Sequence, residues 1–551
     1  MNKLVIAAGM AIALAQAPAS AEPRFDAARF ASHIKILASD EFQGRGPATE
    51  GETRTVGYLT RQFKAAGLRP GGDPRPGGGR AWTQDVPLAR FEIEGPVRIG
   101  VHAGPSNATW TQGDEVALRA SATGATRVQI AEAPLVFIGY GVSAPERNWD
   151  DFKGVDLKGK IALALVNDPD FETGNGDFGG KAMTYYGRWT YKYEEAARRG
   201  ALGLLVIHET APAAYGWVTV KNSNTISIFD IIRADPASAH VALEGWIQRD
   251  ATAGLMRRAG LDFETLKKQA QTRGFQPVAL NGVTFSADYG VDVTRIVSKN
   301  VVGVIPGAKR PAERVIYTAH WDHLGVGPPD ARGDGIYNGA VDNGTGLAAL
   351  IELAHAFGRE KRSARSVMFL AVTAEEKGLL GSAYYAENPL YPLAATVADL
   401  NMDGIGANGP ARDFTTSGEA QTTLLDDLIA AGTKLGRDFS PDPRPEAGMF
   451  FRSDHFSFAK AGVPAITIKT GDDLLKGGRA AGAAAAAAYT AERYHQPSDE
   501  WRDDIDLSGL PADLDIIHDL GRSLADGRAW PSWKPGSEFK ALRDRTAAAR
   551  N

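Results

Sequence analysis

Three short polar groups within residues 318–376 decide the fold: TAHWDH at 318–323, GAVDNGTG at 339–346 and TAEEKG at 373–378. Each group follows a short apolar run and precedes glycine-rich or helical sequence. An α/β sheet presents polar side chains in this way at the carboxyl ends of its strands. The stretch therefore predicts a polar site, rich in histidine and carboxylate groups, at one edge of a sheet.

The sequence on either side of this stretch continues the alternation of strands and helices. Helical spacing of apolar residues is found at 347–357 and 379–387. The apolar runs of strand length that alternate with these helices lie at 300–307, 314–319, 366–372 and 397–402. This alternation predicts an α/β fold in which a mixed central sheet is flanked by helices.

The N-terminal part and one alanine-rich segment are read in the same way. Residues 25–37 and 52–66 have the apolar periodicity of helices, and strands are predicted at 82–89 and 91–101. Residues 483–488 are a run of six alanines. This run is compatible with a short helix or with a mobile flap, and its periodicity does not decide between them.

The pattern changes between residues 124 and 289. β-type runs occur at 135–141 and 158–166, and His208 and His240 stand apart from any other candidate ligand. We predict that 124–289 is an inserted β-rich domain with its own core, and that both histidines are structural. Residues 22–123 and 290–551 then form one discontinuous domain.

Composition restricts the class of protein and of metal site. The 551 residues are 43% hydrophobic and 23% charged, with a net charge of −5 and no cysteine. These values are typical of a globular protein and give no indication of a nucleic-acid partner. Without cysteine, disulfides and thiolate metal sites are excluded, so any metal must be bound by histidine and carboxylate groups.

The first residues have the features of a secretory signal peptide. Lys3 precedes an apolar run at 4–15, and the small residues Ala19 and Ala21 mark a cleavage site after Ala21. The run is too short to cross a bilayer, and we expect no membrane anchor. The sequence predicts a periplasmic or secreted protein from which residues 1–21 are removed.

His320 and Asp322 form the first candidate pair. In an extended segment, residues two apart point to the same side, so Asp322 could accept the second ring N–H of a metal-bound His320. A solvent-exposed pair is the alternative. Asp342, among glycines before a predicted helix, is either a ligand or, like Asn343, a helix cap.

Three further acids and a histidine complete the set. Glu375 and Glu376 are adjacent where a strand ends, and such acids repel each other unless a positive charge lies near; a solvated turn is the alternative. Asp403 follows the run at 397–402, and His495 lies in a loop that contains Pro497. Histidines and carboxylates suit zinc, and a bridging carboxylate allows two ions about 3.5 Å apart.

The order of these motifs resembles the co-catalytic zinc aminopeptidase family, which includes bacterial leucyl aminopeptidases and, more distantly, glutamate carboxypeptidase and the transferrin receptor. Residues 37–45 (LASDEFQGR) are similar to its N-terminal stretch, and residues 494–500 (YHQPSDE) to its last metal motif. The segment 124–289 is similar to the protease-associated domain that some members insert. The resemblance implies a zinc exopeptidase, phosphorylase/hydrolase-like fold.

The resemblance also implies two zinc ions per chain. His320 and Asp403 would hold one ion, Glu376 and His495 the other, and Asp342 would bridge them.

The remaining roles follow from the same resemblance. Glu375 would act as general base and acid, and Asp322 would orient His320. A candidate substrate-side stretch comprises Arg452, Ser453, Asp454 and His455. His455, like His323, could equally be structural.

The function implied is that of a zinc aminopeptidase that removes N-terminal residues from peptides. A glutamate carboxypeptidase-like enzyme is the alternative, and it would need a basic pocket for a C-terminal carboxylate. A second alternative is a receptor-like binding protein with a relic peptidase domain, but none of the five ligands is missing. The preferred residue and the oligomeric state are not predicted.

Overall fold

A computed structural model describes residues 24–104, 106–418 and 420–550. The predicted signal peptide lies outside these residues. The α-helices are α1 (Ala27–Leu37), α2 (Glu50–Ala65), α3 (Trp189–Arg198), α4 (Thr210–Ala213), α5 (Trp217–Asn224), α6 (Arg249–Arg258), α7 (Phe263–Ala270), α8 (Gly344–Arg359), α9 (Leu380–Glu387), α10 (Thr423–Lys434), α11 (His455–Lys460), α12 (Gly478–Glu492), α13 (Leu510–Asp526) and α14 (Lys540–Arg545).

The chain also forms twenty described strands. They are β1 (Arg69–Pro70), β2 (Thr83–Ala103), β3 (Ser106–Trp110), β4 (Val116–Leu118), β5 (Arg127–Phe137), β6 (Ser143–Ala144), β7 (Trp149–Asp150), β8 (Ile161–Leu165), β9 (Gly203–His208), β10 (Ile228–Ile231), β11 (Leu243–Gln248), β12 (Val278–Ile305), β13 (Arg310–His320), β14 (Gly325–Val326), β15 (Ile336–Tyr337), β16 (Arg365–Val372), β17 (Thr396–Met402), β18 (Asp413–Thr416), β19 (Asp438–Phe439) and β20 (Ala465–Thr470).

The predicted mixed sheet flanked by helices is confirmed. Its strand order is β19-β18-β20-β17-β13-β16-β12-β5-β8-β9-β11-β4. β13 lies parallel to β16 and β17, and β17 lies parallel to β20. Parallel strands place their carboxyl ends at one edge of the sheet, which is where the polar motifs were predicted to meet.

Two N-terminal strands were predicted where the structure has one. β2 runs without interruption from Thr83 to Ala103, and it pairs antiparallel with β12 from Thr83 to Ala103 with one irregularity in register. Arg90, the single residue between the two predicted strands, is part of a continuous ladder in which it pairs with Thr294. The prediction was wrong because a long partner strand keeps the backbone extended through a polar stretch.

The segment 124–289 contains more helix than predicted. It holds β5 to β11 together with α3 to α7, so the description as β-rich was incomplete. β8 lies parallel to both β5 and β9, and β5 joins the rest of the sheet through β12. The division of the chain into a discontinuous domain and an insertion stays a prediction, as does the likeness to a protease-associated domain.

His240, predicted to stand alone, lies between two carboxylates of that segment. Its Nε2 is 2.6 Å from Asp230 Oδ2, and its Nδ1 is 2.9 Å from Glu244 Oε1. His208 contacts only the carbonyl oxygen of Tyr215 among the described hydrogen-bonding groups. The sequence missed the His240 cluster because its members come from β10, β11 and the loop between them.

α8 lies in the core and α12 on the surface. The apolar residues of α8 are fully or nearly fully buried, and the helix packs against α1, α2 and β13. The alanine run at 483–488 forms part of α12, so of the two alternatives the structure has the helix. Among the described helices, none combines the length and the apolar character that a bilayer crossing requires.

Candidate active site

The strand ends bring the predicted ligands to one place. His320 is the last residue of β13, and Asp403 directly follows β17. Glu375 and Glu376 come three and four residues after the end of β16, which lies beside β13. The separate motifs therefore converge because neighbouring parallel strands end at the same edge.

Asp342 lies between the two predicted histidines. Its Oδ1 is 3.3 Å from Nε2 of His320, and its Oδ2 is 3.2 Å from Nε2 of His495. Nε2 of His320 is also 3.4 Å from Asp403 Oδ1. Nε2 of His495 is also 3.1 Å from Glu376 Oε2. The five residues thus form two groups that share the carboxylate of Asp342.

These side chains fit a divalent metal of the zinc type. One donor atom from each of His320, Asp342 and Asp403 lies within 4.8 Å of the others, and all are imidazole or carboxylate groups. Nε2 of His495 is sealed from solvent and makes no hydrogen bond with acceptable angles to any described residue, although two carboxylate oxygens are close. A ring nitrogen aimed at carboxylates without bonding to them is suited to a shared cation.

The charges of the cluster shift the pKa values in opposite directions. Burial raises the pKa of Asp342, but His320 and His495 outweigh it, so the pKa lies below the usual range. For Glu376, burial is likewise outweighed, by His323 and His495, and the pKa is well below its usual range. Both carboxylates are therefore charged, as metal ligands must be.

Glu375 differs from its neighbour. Burial, together with repulsion from Glu376 and Asp403, raises the pKa of Glu375 well above its usual range, against the opposing effect of His320. Its main-chain N–H donates to Asp322 Oδ1 at 3.0 Å. A carboxylate with a raised pKa, placed beside the ligands but not between the histidines, is suited to take up and release a proton.

Asp322 is buried beside His320, but its carboxylate does not hold the ring. Nδ1 of His320 is 3.1 Å from the carbonyl oxygen of Asp322 and 3.8 Å from its carboxylate Oδ1. The main-chain carbonyl therefore fixes the ring, and the carboxylate fixes the backbone of Glu375. The predicted role of Asp322 in orienting His320 stays a prediction, and the atom placed for it is the carbonyl oxygen.

Asn343 settles which residue caps α8. Its Oδ1 accepts hydrogen bonds from the N–H of Gly346 at 3.0 Å and of Gly404 at 3.1 Å. Asn343 is thus the cap, so the carboxylate of Asp342 is free to face the histidines. The capping bond to Gly404 also ties the loop that carries Asp403 to the start of α8.

His323, whose role the sequence left open between functional and structural, contacts Glu376, one of the proposed ligands. Its ring is fully buried, and Nδ1 is 2.6 Å from Glu376 Oε1. One donor atom each of His323, Asp342 and Glu376 lies within 4.8 Å of the others. The available signal was its position three residues after His320, at the end of the same strand.

The stretch 452–455 divides into one cleft residue and three buried ones. Ser453 Oγ accepts from Asn401, Asp454 Oδ1 accepts from Ser382 at 2.6 Å, and His455 Nδ1 is 2.5 Å from Thr467 Oγ1.

Burial shifts the pKa values of two of these three residues. It raises the pKa of Asp454 to about 7 and lowers the pKa of His455 to about 3. Of the four residues in this stretch, only Arg452 lines the cleft.

A cleft of about 530 Å³ opens beside Glu375 and Glu376. Its walls include Arg188 and Trp189, at the start of α3 in the predicted insertion, and Arg452 and Tyr494 from the C-terminal part. The Tyr494 ring is stacked on His495, with centroids 3.8 Å apart. Sequence reasoning missed Arg188, because no motif connects it with the ligands.

The charges in this cleft are unevenly paired. Lys460 binds Glu194 at 2.8 Å, and Glu387 contacts Arg233. By contrast, the guanidinium groups of Arg188 and Arg452 make no hydrogen bond or ion pair with any described residue, and the Nε atom of each is sealed from solvent. Two unpaired arginines therefore face the cleft.

Comparison with known proteins points to one family. Residues 300–520 match the model of peptidase family M28. A probable zinc metalloprotease of Pyrenophora teres f. teres is 34% identical over 116 residues, 21% of this chain and 24% of that protein. Aminopeptidase YwaD of Bacillus subtilis is 26% identical over 184 residues, 32% of this chain and 37% of that protein.

Longer matches are weaker. A probable glutamate carboxypeptidase of Arthroderma benhamiae is 25% identical over 344 residues, 54% of this chain and 43% of that protein. The chain thus spans less than half the length of these relatives. The solved structure of an aminopeptidase from Aneurinibacillus sp. strain AM-1 aligns over 91% of this chain and 94% of that one, at 20% identity and a TM-score of 0.49.

The matched segment begins before β13 and ends after the loop of His495, so it holds all five proposed ligands and Glu375. Residues 300–520 of this chain are therefore similar to peptidase family M28.

Proposed function

We propose that this chain is a metallo-exopeptidase that holds two zinc ions and removes N-terminal residues from peptides. The observation that carries the proposal is the position of Asp342, with one carboxylate oxygen toward His320 and the other toward His495. Glu375 lies beside this pair with a raised pKa. The relatives named zinc metalloprotease and aminopeptidase support the same chemistry.

Each residue has a distinct part in this proposal. His320 and Asp403 would hold one ion, His495 and Glu376 the other, and Asp342 both. Bound zinc lowers the pKa of a water molecule and polarises a carbonyl group.

Glu375 would accept the proton of the attacking water on its carboxylate and pass it to the leaving amine. The carboxylate of Asp322 holds the Glu375 main chain in place for both transfers. The cleft beside Glu375 would hold the peptide while the bond is cleaved.

A glutamate carboxypeptidase-like activity is the second candidate. The observation that favours it is the pair of unpaired arginines, Arg188 and Arg452, in the cleft. Arginine presents its N–H groups in a fork that matches a carboxylate. A C-terminal carboxylate is one group that such a pair would bind.

A substrate panel distinguishes the two candidates. Aminoacyl-4-nitroanilides with free and with acetylated amino groups are compared with N-acetyl dipeptides that end in a free or an amidated carboxylate. An aminopeptidase cleaves the free anilides and loses at least about 100-fold in kcat/KM on acetylation, since a recognised charged group is worth this much. Cleavage of N-acetyl dipeptides only when the carboxylate is free would replace the first candidate by the second.

Variants of the two cleft arginines, with a control at an exposed arginine, give a second test of the two candidate functions. For a carboxypeptidase, Arg188→Gln and Arg452→Gln lower kcat/KM for free carboxylates by about 10- to 100-fold. Arg257→Gln, exposed on α6 in the same predicted insertion, should leave it unchanged. Under the aminopeptidase proposal, the two cleft variants change anilide hydrolysis by less than about threefold.

We also infer that the protein is exported to the periplasm or beyond the cell. The support is the order of charge, apolar run and small residues at 1–21. Mass spectrometry of the protein secreted by its host cell should give a mature chain that starts at Glu22. An intact Met1 in the exported fraction, or retention of the whole protein in the cytosol, would refute this inference.

A further inference from the structure

The proposed bridging ligand lies in a buried segment without regular structure. Residues 338–343 connect β15 with α8, and within them Asn338, Ala340 and Asn343 are at most 1% exposed. Buried backbone N–H and C=O groups need hydrogen-bond partners, and a segment outside helix and sheet must find them elsewhere. The partners of this segment therefore determine where Asp342 lies.

Arg45 binds the carbonyl oxygens of the segment. Its Nη1 donates to Asn338 O at 2.5 Å, and its Nη2 donates to Gly339 O at 2.9 Å and Asp342 O at 3.4 Å. The Nε atom donates to Trp321 O at 2.9 Å, between His320 and Asp322. One guanidinium group thus joins the segment of Asp342 to the end of β13.

Asp499 binds the opposite side of the same segment through its N–H groups. Its Oδ1 accepts from Val341 N at 3.2 Å, and its Oδ2 accepts from Asp342 N at 3.1 Å. Its own carbonyl accepts from Ala340 N at 2.8 Å, and Tyr489 donates its hydroxyl to Oδ2 at 3.1 Å. Asp499 lies four residues after His495, so it also ties the His495 loop to this segment.

The choice of an arginine at position 45 has a physical reason. The side chain is completely buried, and in the described part of the chain it bonds only carbonyl oxygens. Burial lowers its pKa to about 10, while nearby Asp342, Asp499 and Asp322 oppose the shift. Arg45 therefore stays charged at neutral pH. The five N–H donors of arginine can reach carbonyls of several segments at once, whereas the ammonium of lysine cannot.

We propose that Arg45 and Asp499 are positioning residues that fix the backbone of Asp342 from opposite sides and so hold its carboxylate ready to bridge two metal ions. This inference rests on the proposed function, because it takes Asp342 to be the residue that bridges the two metal ions. Arg45 lies outside the segment matched by the family model, and Asp499 lies inside it. Arg45 would therefore support the metal site from outside the matched segment without touching the metal.

The test measures zinc affinity in the full-length chain. Arg45→Lys and Asp499→Asn are titrated with zinc against a chromogenic chelator, and kcat and KM are measured at saturating zinc. We expect zinc to bind about 10- to 100-fold more weakly, since groups that orient metal ligands have effects of this size. We also expect kcat to fall with KM changed by less than about threefold.

Matched variants separate this role from a general effect of substitution. Arg54→Lys, exposed on α2, and Asp503→Asn, exposed after the His495 loop, should bind zinc as the wild type does. Tyr489→Phe removes only the hydroxyl bonded to Asp499 and should weaken zinc binding by about two- to tenfold. This mild variant decides the question if Arg45→Lys does not fold.

Urea unfolding of the zinc-free proteins identifies a purely structural role. Variants that lose zinc-free stability but bind zinc with wild-type affinity would overturn the inference, as would unchanged affinity in Asp499→Asn and Tyr489→Phe. A wild type that binds zinc but hydrolyses no peptide would refute the proposed function, while the affinity measurements would still decide the positioning role. A wild type that binds no zinc would refute both.

Discussion

Glu375 and Glu376 are neighbours in sequence that the fold places in different surroundings. Glu376 lies between His323 and His495, which hold its pKa well below the usual range, whereas burial and the acids around Glu375 raise the pKa of that residue. Repulsion between two adjacent acids is relieved because one is charged and paired and the other can hold a proton. This difference is the physical basis for giving them separate roles.

His240 gives a prediction that concerns stability and not activity. Burial lowers its pKa, but Glu244 and Asp230 raise it to about 10, above the ordinary value near 6.5. Its charged contacts therefore stabilise the fold fully below about pH 6.5, and this contribution is lost as the pH rises through 10.

The measurement compares His240→Gln with the wild type by urea unfolding at pH 6, 8 and 10. We expect a loss of roughly 2 kcal/mol at pH 6, typical of bonds to charged groups, which shrinks toward pH 10. His102→Gln is the control, because this histidine on β2 bonds only neutral side chains among the described residues. A loss that is constant or that grows with pH would contradict the assignment.

At the scale of single residues, the sequence predicted which candidate ligands come together better than it predicted the residues that support them. His320, Asp342, Glu376, Asp403 and His495 come together as the motifs suggested. The contacts of His323, Asp322 and Asp499 were not predicted, because they depend on the orientation of individual atoms. The contacts of Asp322 and Asp499 also involve main-chain groups. Residue type and spacing do not contain this information.

At the scale of elements, the site depends on strand ends and one helix start. β13, β16 and β17 are parallel neighbours, so loops separated by up to about 80 residues of chain meet at one edge. The N-cap of α8 is supplied by Asn343, which leaves Asp342 for another role. Strand and helix periodicity predicted these elements because their core faces are regular.

The periodicity of apolar residues did not predict the extent of β2 or the helical state of α12. The sequence of β2 predicts two strands because Arg90 interrupts the pattern, yet β2 remains one strand along β12. α12 reads as ambiguous because alanine has no pattern, yet the helix forms and Tyr489 on it reaches Asp499. For β2, the deciding interactions come from a strand that is distant in sequence.

At the scale of the molecule, residues 300–520, which match the family model, do not contain every group that the candidate site uses. Arg45 comes from the N-terminal part and holds the segment of Asp342. Arg188 comes from the predicted insertion and lines the cleft beside Glu375. The motifs predicted the peptidase chemistry, but the cleft wall is built from parts of the chain that carry no motif.

The central claim is that Glu375 transfers the proton in a site that holds two zinc ions through other residues. The most direct test measures zinc content and aminoacyl-4-nitroanilide hydrolysis of Glu375→Gln and the wild type on the same samples. Glu264→Gln, exposed on α7, is the control.

The account predicts about two zinc ions per chain in all three proteins and a loss of about 100- to 10,000-fold in kcat for Glu375→Gln alone, the usual effect of removing a general base. Hydrolysis by Glu375→Gln at close to the wild-type rate would contradict the account, and so would a wild type that is active without zinc.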